Sequence, residues 1–111
     1  MAGAVLVVGL LGVSATLGLG LASVGAASAT AQRAASAADA AALAAADVAS
    51  GAVLVPEDAA PCLIARRVAE GSGADLTACE VDGLIATVTV RVPFGPLAAR
   101  ASARAGPPDA R

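Results

Sequence analysis

A run without charged side chains occupies the first third of this chain and constrains its fold more than any other feature. No Asp, Glu, Lys or Arg occurs from Ala2 to Gln32, and residues 4–28 are dominated by Leu, Val, Ala and Gly. About 20 such residues suffice to cross the hydrocarbon core of a bilayer as a helix. The remaining chain is too short to cover a helix that is apolar on all sides. We therefore predict a transmembrane helix over about residues 4–28.

A cleaved secretory signal is the alternative interpretation of this run. Ala27-Ser28-Ala29 has the small-x-small form of a signal-peptidase site. However, no Lys or Arg precedes the run, and the run exceeds the apolar region of about 7–15 residues that signal peptides carry. We favour the uncleaved anchor over release after Ala29.

Small residues recur at every fourth position of the predicted anchor. That spacing lets transmembrane helices approach closely. Glycine-rich codon usage is an equally good explanation of the pattern, and the sequence does not choose between the two. The candidate helix-packing residues form two rows, Gly12, Thr16 and Gly20 in one and Ser14, Gly18 and Ala22 in the other.

An alanine-rich segment follows, and it predicts that the same helix continues to Ser50. Residues 31–50 contain no helix breaker, alanine is the best helix former, and Gly51 offers a stop. At 3.6 residues per turn most polar side chains fall within an arc of roughly 140°, with Thr30 off the arc and Leu43 intruding on it, and the opposite face is mostly alanine. We expect this alanine face to pack against another helix or a sheet. The polar arc holds Ser28, Gln32, Arg33, Ser36, Asp39, Asp47 and Ser50.

After the long helix, residues 58–73 predict a short second helix. Asp58 is placed to cap it, Pro61 fits its first turn, and residues 62–70 continue it until Gly71-Ser72-Gly73 ends it.

A β-hairpin is the clearest local signal that comes next. Residues 76–81 and 84–92 are β-rich, and Asp82-Gly83 between them has the composition of a two-residue type I′ turn. Such a turn pairs Val81 with Leu84. Cross-strand partners share a face of the sheet, so the hairpin has one apolar and one mostly polar face. The apolar face holds Cys79, Val81, Leu84, Ala86, Val88, Val90 and Val92, and the other holds Glu80, Ile85, Thr87, Thr89 and Arg91.

A third strand over residues 97–105 completes the predicted fold, because small apolar residues alternate there with Arg100, Ser102 and Arg104. The predicted class is α+β: a long N-terminal transmembrane helix continuing outside the membrane, a short second helix and a three-stranded antiparallel, pilin-like sheet. The predicted boundaries are 1–50 for the helix, 51–58 for a linker, 59–106 for a small disulfide-bonded domain and 107–111 for a tail.

Cys62 and Cys79 are the only thiols of the chain, and there is no histidine, which makes a zinc site a poor interpretation. They are either a disulfide or two buried inert thiols. We favour the disulfide, because a helix lying across the apolar face of the hairpin would bring them together and the anchor supplies an oxidising compartment.

No catalytic, cofactor-binding or metal-ligating residue is predicted. Without histidine the usual acid–base and metal-ligand combinations are missing. The nearest carboxylate sets, Asp39 with Asp47 and Glu57 with Asp58, are interpreted as helix-face and capping charges. The net charge of −2, with both signs interspersed, argues against a nucleic-acid partner. We expect no enzyme activity and no small-molecule substrate.

The order of these features resembles the TadE/TadG-like proteins of tight-adherence (Flp-type) pilus assembly. It is more similar still to the short actinobacterial TadE-like proteins encoded beside secretion genes. The likeness covers almost the whole chain. It rests on the apolar N-terminus, on the alanine-rich residues 32–46, on the Cys62 and Cys79 pair, on the hairpin residues 79–83 and on residues 93–107.

The resemblance implies a non-enzymatic, membrane-anchored pseudopilin-like component of a pilus or secretion apparatus. Its expected partners are the lipid bilayer and, through the N-terminal helix, pilins or membrane proteins of the assembly. The expected location is the cell membrane, single-pass, with the C-terminal domain extracytoplasmic. Two alternatives are a secreted surface binding module released after Ala29 and a small membrane regulator that acts through its transmembrane helix.

Overall fold

A computed structural model describes residues 2–56 and 60–109, and within the first helix it describes the side chains of residues 3–17 and 25–50. The molecule measures 78 × 27 × 19 Å, because its first helix is much longer than the folded domain that it enters. The sheet is antiparallel with strand order β1-β2-β3. The elements in chain order are α1 (Ala2–Ser50), α2 (Pro61–Gly71), β1 (Asp75–Asp82), β2 (Ile85–Phe94) and β3 (Leu97–Ala105).

α1 is one continuous helix of 49 residues, which confirms the prediction that the apolar run and the alanine-rich segment form a single helix. The helix ends where expected. Gly51 adopts a φ of 78°, a conformation that residues with a Cβ disfavour. The backbone N–H of Ala52 then donates to the carbonyl of Asp47 at 3.0 Å, which satisfies one of the last carbonyls of the helix.

The predicted transmembrane helix is the part of the fold class that is contradicted. Among the residues whose side chains are described, no helix combines the length and the apolar character needed to cross a membrane. Residues 25–50 of α1, whose side chains are described, are mostly alanine and include Arg33, Asp39 and Asp47.

The core is built from alanine and valine. The predicted alanine face of α1 is buried, and it packs against α2 and against the inner face of the sheet. Alanine allows this close packing because it has no long side chain to hold two backbones apart. Val88 and Val90 of β2 are the largest fully buried side chains. The buried alanines of α1 are Ala34, Ala37, Ala38, Ala41, Ala42, Ala45 and Ala46.

α1 lies over β2 and β3, and α2 lies beside it over β1. α2 begins at Pro61, and its N-cap is Ala60, which makes no side-chain capping bond. The predicted cap, Asp58, lies outside the described residues.

The hairpin forms with the predicted faces but with a different turn. Asp82 pairs with Ile85 and Val81 pairs with Ala86, so the turn residues are Gly83 and Leu84 rather than Asp82 and Gly83. Gly83 has a φ of 61°, and no residue other than glycine has a positive φ among the described residues. This is the pattern of a type II′ turn, which requires a positive φ at its first central position only.

The two faces survive the change of turn because the register moves by an even number of residues. Ala86, Val88, Val90 and Val92 are buried as predicted, whereas Leu84 leaves the apolar face and is 46% exposed in the turn. Cys79 pairs with Val88, and a bulge interrupts the β1–β2 register between Leu76 and Ala78. β3 spans the predicted residues, with Phe94 paired with Leu97.

Candidate helix-packing surface

The first part of α1 projects beyond the folded domain as an apolar helix. We call residues 3–17 the projecting segment. Its large side chains are exposed: Val5 is 74% and Leu17 62% accessible, and no charged side chain lies between them. Leucine and valine on every side of a helix cannot all be covered by one neighbouring element. The projecting segment carries most of the exposed large apolar side chains among the described residues, and exposed patches of this kind mark interaction sites.

Two of the predicted helix-packing residues share a shallow depression on the projecting segment. Gly12 and Thr16 line it together with Gly9, Val13 and Leu17, and its volume is about 400 Å³. A Cβ atom added at Gly9 or at Gly12 would meet nothing within 4 Å. The two glycines therefore leave the backbone open to a partner helix on this side.

The hydroxyl group of Thr16 is already satisfied. Its Oγ1 donates to the carbonyl oxygen of Gly12 at 2.9 Å, as expected for a threonine on an apolar helix. The threonine can thus present its methyl group to a neighbour with no polar group left to desolvate. Ser14 is exposed on another side of the same segment. At the other three predicted packing residues, Gly18, Gly20 and Ala22, only the helical backbone is described.

A second apolar depression, which was not predicted from the sequence, lies where α1 enters the domain. The tip of the β2–β3 hairpin folds beside the helix there, so that Phe94 and Leu97 line a volume of about 180 Å³ together with Ala27 and Thr30. Leu97 remains 68% exposed. The available signal was a pair of large apolar residues on either side of Gly95-Pro96, a turn where polar residues are usual.

The two cysteines form a disulfide, with their Cα atoms 5.9 Å apart. Cys62 lies in the first turn of α2 and Cys79 in β1, and both are half-buried. The bond therefore joins the second helix to the sheet, and both thiols are used in it.

Of the four carboxylates predicted as helix-face and capping charges, the described pair, Asp39 and Asp47, lie eight residues apart along α1. Asp39 is exposed and Asp47 half-buried on α1, whereas Glu57 and Asp58 lie outside the described residues. No three His, Cys, Asp or Glu side chains of the described part of the chain cluster closely enough to hold a metal ion. The expectation that the protein is not an enzyme stays a prediction.

Comparison of the chain with protein-family models, with curated proteins and with solved structures finds no match.

Proposed function

We propose that this protein is a non-enzymatic, pseudopilin-like subunit of a tight-adherence pilus or a related secretion apparatus. In this proposal the projecting segment packs against helices of pilins or of assembly proteins. The observation that carries the proposal is that α1 is one unbroken helix, with its alanine-rich part inside the folded domain and its apolar residues 3–17 exposed beyond it.

The exposed apolar area favours a helical partner. Burying a valine or leucine side chain contributes about 1.5–3 kcal/mol, so even a few of these residues covered by a neighbour would hold a subunit in place. Packed helices lie about 8–10 Å apart, and the distance is shortest where small residues face each other. Gly9 and Gly12, with open space at their Cβ positions, provide such a surface.

The domain is rigidly joined to the projecting segment. The helix has no break between the segment and the buried residues Ala34 to Ala46, and these alanines contact α2 and the sheet. A subunit held by its helix would therefore carry its domain in a fixed orientation. A domain attached through a flexible linker would not keep a fixed orientation.

The disulfide supports an extracytoplasmic location for the folded domain. Disulfides form and persist in oxidising compartments and are rare in the cytosol. The bond between Cys62 and Cys79 thus fits a subunit whose domain is displayed on the outer side of the cell envelope.

Site-specific crosslinking in cells that make the apparatus tests the proposal. A photoreactive amino acid at Leu10, in the projecting segment, should yield adducts with pilins or assembly proteins. The same amino acid at Ala40, which is exposed on the part of α1 inside the domain, is the matched control and should yield few. A second photoreactive position at Val13, which lines the depression, should give fewer adducts when Gly12→Leu is introduced, because the added side chain occupies the depression.

Recovery of the protein only as an unassociated monomer, with no adduct at Leu10, would contradict the proposal. N-terminal sequencing of the mature protein provides a separate check. A mature chain beginning at Thr30 would have lost the projecting segment, and the secreted binding module would then replace the pseudopilin-like subunit.

A further inference from the structure

The two edge strands of the sheet carry opposite charges. β1 contains Asp75, Glu80 and Asp82 and no basic residue, whereas β3 contains Arg100 and Arg104 and no acidic residue. All five of these side chains are exposed. Since the strand order is β1-β2-β3, one edge of the sheet is acidic and the other is basic.

The strand register gives these two edges the same spacing. Asp75 and Arg100 both pair with Arg91, and Glu80 and Arg104 both pair with Thr87. Cross-strand partners share a face, so the four edge charges lie on the outer face, away from α1 and α2. If a second copy of the chain is placed beside the first so that its β1 lies along β3 of the first copy, its Asp75 comes next to Arg100 and its Glu80 next to Arg104.

The arrangement within one chain places Arg100, at the basic edge, beside a like charge. Arg91 and Arg100 lie directly opposite each other on neighbouring strands, and like charges in that position are destabilising. Asp75 is on the far side of Arg91, beyond the central strand. A carboxylate arriving at the free edge of β3 would relieve the repulsion at Arg100.

We infer that the protein associates head to tail with second copies of itself, the acidic edge of β1 against the basic edge of β3. In this contact Asp75 and Glu80 of one copy meet Arg100 and Arg104 of the next. Two acidic edges or two basic edges would repel each other, so a symmetric dimer through one edge is disfavoured. A head-to-tail contact extends into a ring or a filament.

The contact is made by side chains and does not require the two sheets to join through backbone hydrogen bonds. Arginine is long enough to reach a carboxylate across a gap between the edges, and exposed pairs of this kind are individually weak. Association then depends on both pairs at once. The inference stands independently of the proposed function, because it uses the sheet and not the projecting segment.

Salt dependence separates this association from association through the apolar helix. The full chain, in a nonionic detergent that covers the projecting segment, is studied by sedimentation velocity at high protein concentration. Between about 20 mM and about 500 mM NaCl, we expect the weight-average mass to fall to about half or less, because salt screens exposed charges. Association through apolar side chains would not weaken with salt. A mass that is unchanged or rises over this range would overturn the inference.

Charge reversal tests which edges are involved. The R100E/R104E variant and the D75R/E80R variant should each remain monomeric at low salt, since each has two edges of one sign. An equimolar mixture of the two should associate again, and so should the chain with all four substitutions. The R33E/R67E variant changes the net charge by the same amount as R100E/R104E at exposed positions on α1 and α2, and it should associate like the wild type.

Because the four positions are exposed on the sheet surface, we expect each variant to fold, and circular dichroism of each variant checks this. The inference is overturned if R100E/R104E associates as strongly as the wild type, or if the mixture of the two reversed variants stays monomeric. Equal loss of association in R33E/R67E would also overturn it, because net charge rather than edge pairing would then be the cause.

Discussion

Cys62 in the first turn of α2 is bonded to Cys79 in the edge strand β1, with their Cα atoms 5.9 Å apart and the two residues 17 positions apart in sequence. The bond joins α2, the one described element that belongs neither to α1 nor to the sheet, to β1. α2 contributes only Ala65 and Ala69 as fully buried residues, so its apolar contacts are small. The disulfide therefore has a large role in holding α2 against the sheet.

Removing the disulfide should lower the free energy of unfolding by about 3 kcal/mol, the value that chain entropy gives for a loop of this length. The double variant C62A/C79A, unfolded in urea and followed by circular dichroism, measures this. The reduced wild type should match the variant, because both lack the cross-link. Identical urea midpoints for the variant and the oxidised wild type would contradict the prediction.

The buried alanine face of α1 should not accept larger side chains. Ala41 is fully buried against the sheet and α2. Ala41→Leu should cost about 1–3 kcal/mol of stability, because a well-packed core must move to admit the extra atoms. The neighbouring Ala40 is exposed, and Ala40→Leu should change stability by less than about 0.5 kcal/mol. Thermal unfolding of the two variants side by side provides the measurement, and equal midpoints would refute the predicted packing.

Gly106 should be intolerant of a methyl group. A Cβ atom there would lie 3.0 Å from the carbonyl oxygen of Leu84 and 3.1 Å from Cγ1 of Ile85. We expect Gly106→Ala to destabilise the protein by about 1 kcal/mol or more, since the crowded neighbours include backbone.

Gly71 is the matched control for that substitution. It ends α2, and a Cβ atom there would meet nothing within 4 Å. Gly71→Ala should be neutral or stabilising by up to about 1 kcal/mol, because alanine lowers the entropy of the unfolded chain. If both alanine variants had the same unfolding midpoint, the close approach at Gly106 would be excluded.

The type II′ turn predicts that alanine lowers the stability of the protein at Gly83 but hardly at the neighbouring Asp82. Gly83→Ala should cost about 1–2 kcal/mol, because alanine is strained at the φ of 61° that this position requires. Asp82→Ala should cost less than about 0.5 kcal/mol, because Asp82 is an exposed strand residue. Urea unfolding of the two variants distinguishes this turn from a type I′ turn, in which position 82 would also need a positive φ and alanine there would be costly.

The hairpin illustrates how much of the fold could be predicted. Its two faces follow from alternation along the strands, and the prediction of Ala86, Val88, Val90 and Val92 as core residues is confirmed. The turn was predicted from the dipeptide Asp82-Gly83, and that prediction is wrong. The predicted and the observed registers differ by two residues, so both bury the same valines, and the alternation along the strands could not decide between the two turns.

Part of the geometry of the candidate packing surface could be predicted, whereas its role in helix packing stays a prediction. The spacing of Gly12 and Thr16 is visible in the sequence, and the structure places them in one depression. The depression at Phe94 and Leu97 could not be predicted, because it forms only when the β2–β3 hairpin folds back beside Ala27 and Thr30 of α1. The transmembrane prediction is wrong for the described residues. A run without charges indicates which side chains avoid water, but it does not show whether a bilayer or another protein covers them.

By itself the sequence determined the elements and the sides they bury. Helix propensity makes α1 continuous through Ser50, and the periods of 3.6 and 2 select its alanine face and the valine face of β2. Only the tertiary structure decided which charges share a row of the sheet, where Gly106 approaches Leu84, and which apolar residues of α1 stay exposed. These depend on contacts between residues far apart in the chain, and a local pattern carries no information about such contacts.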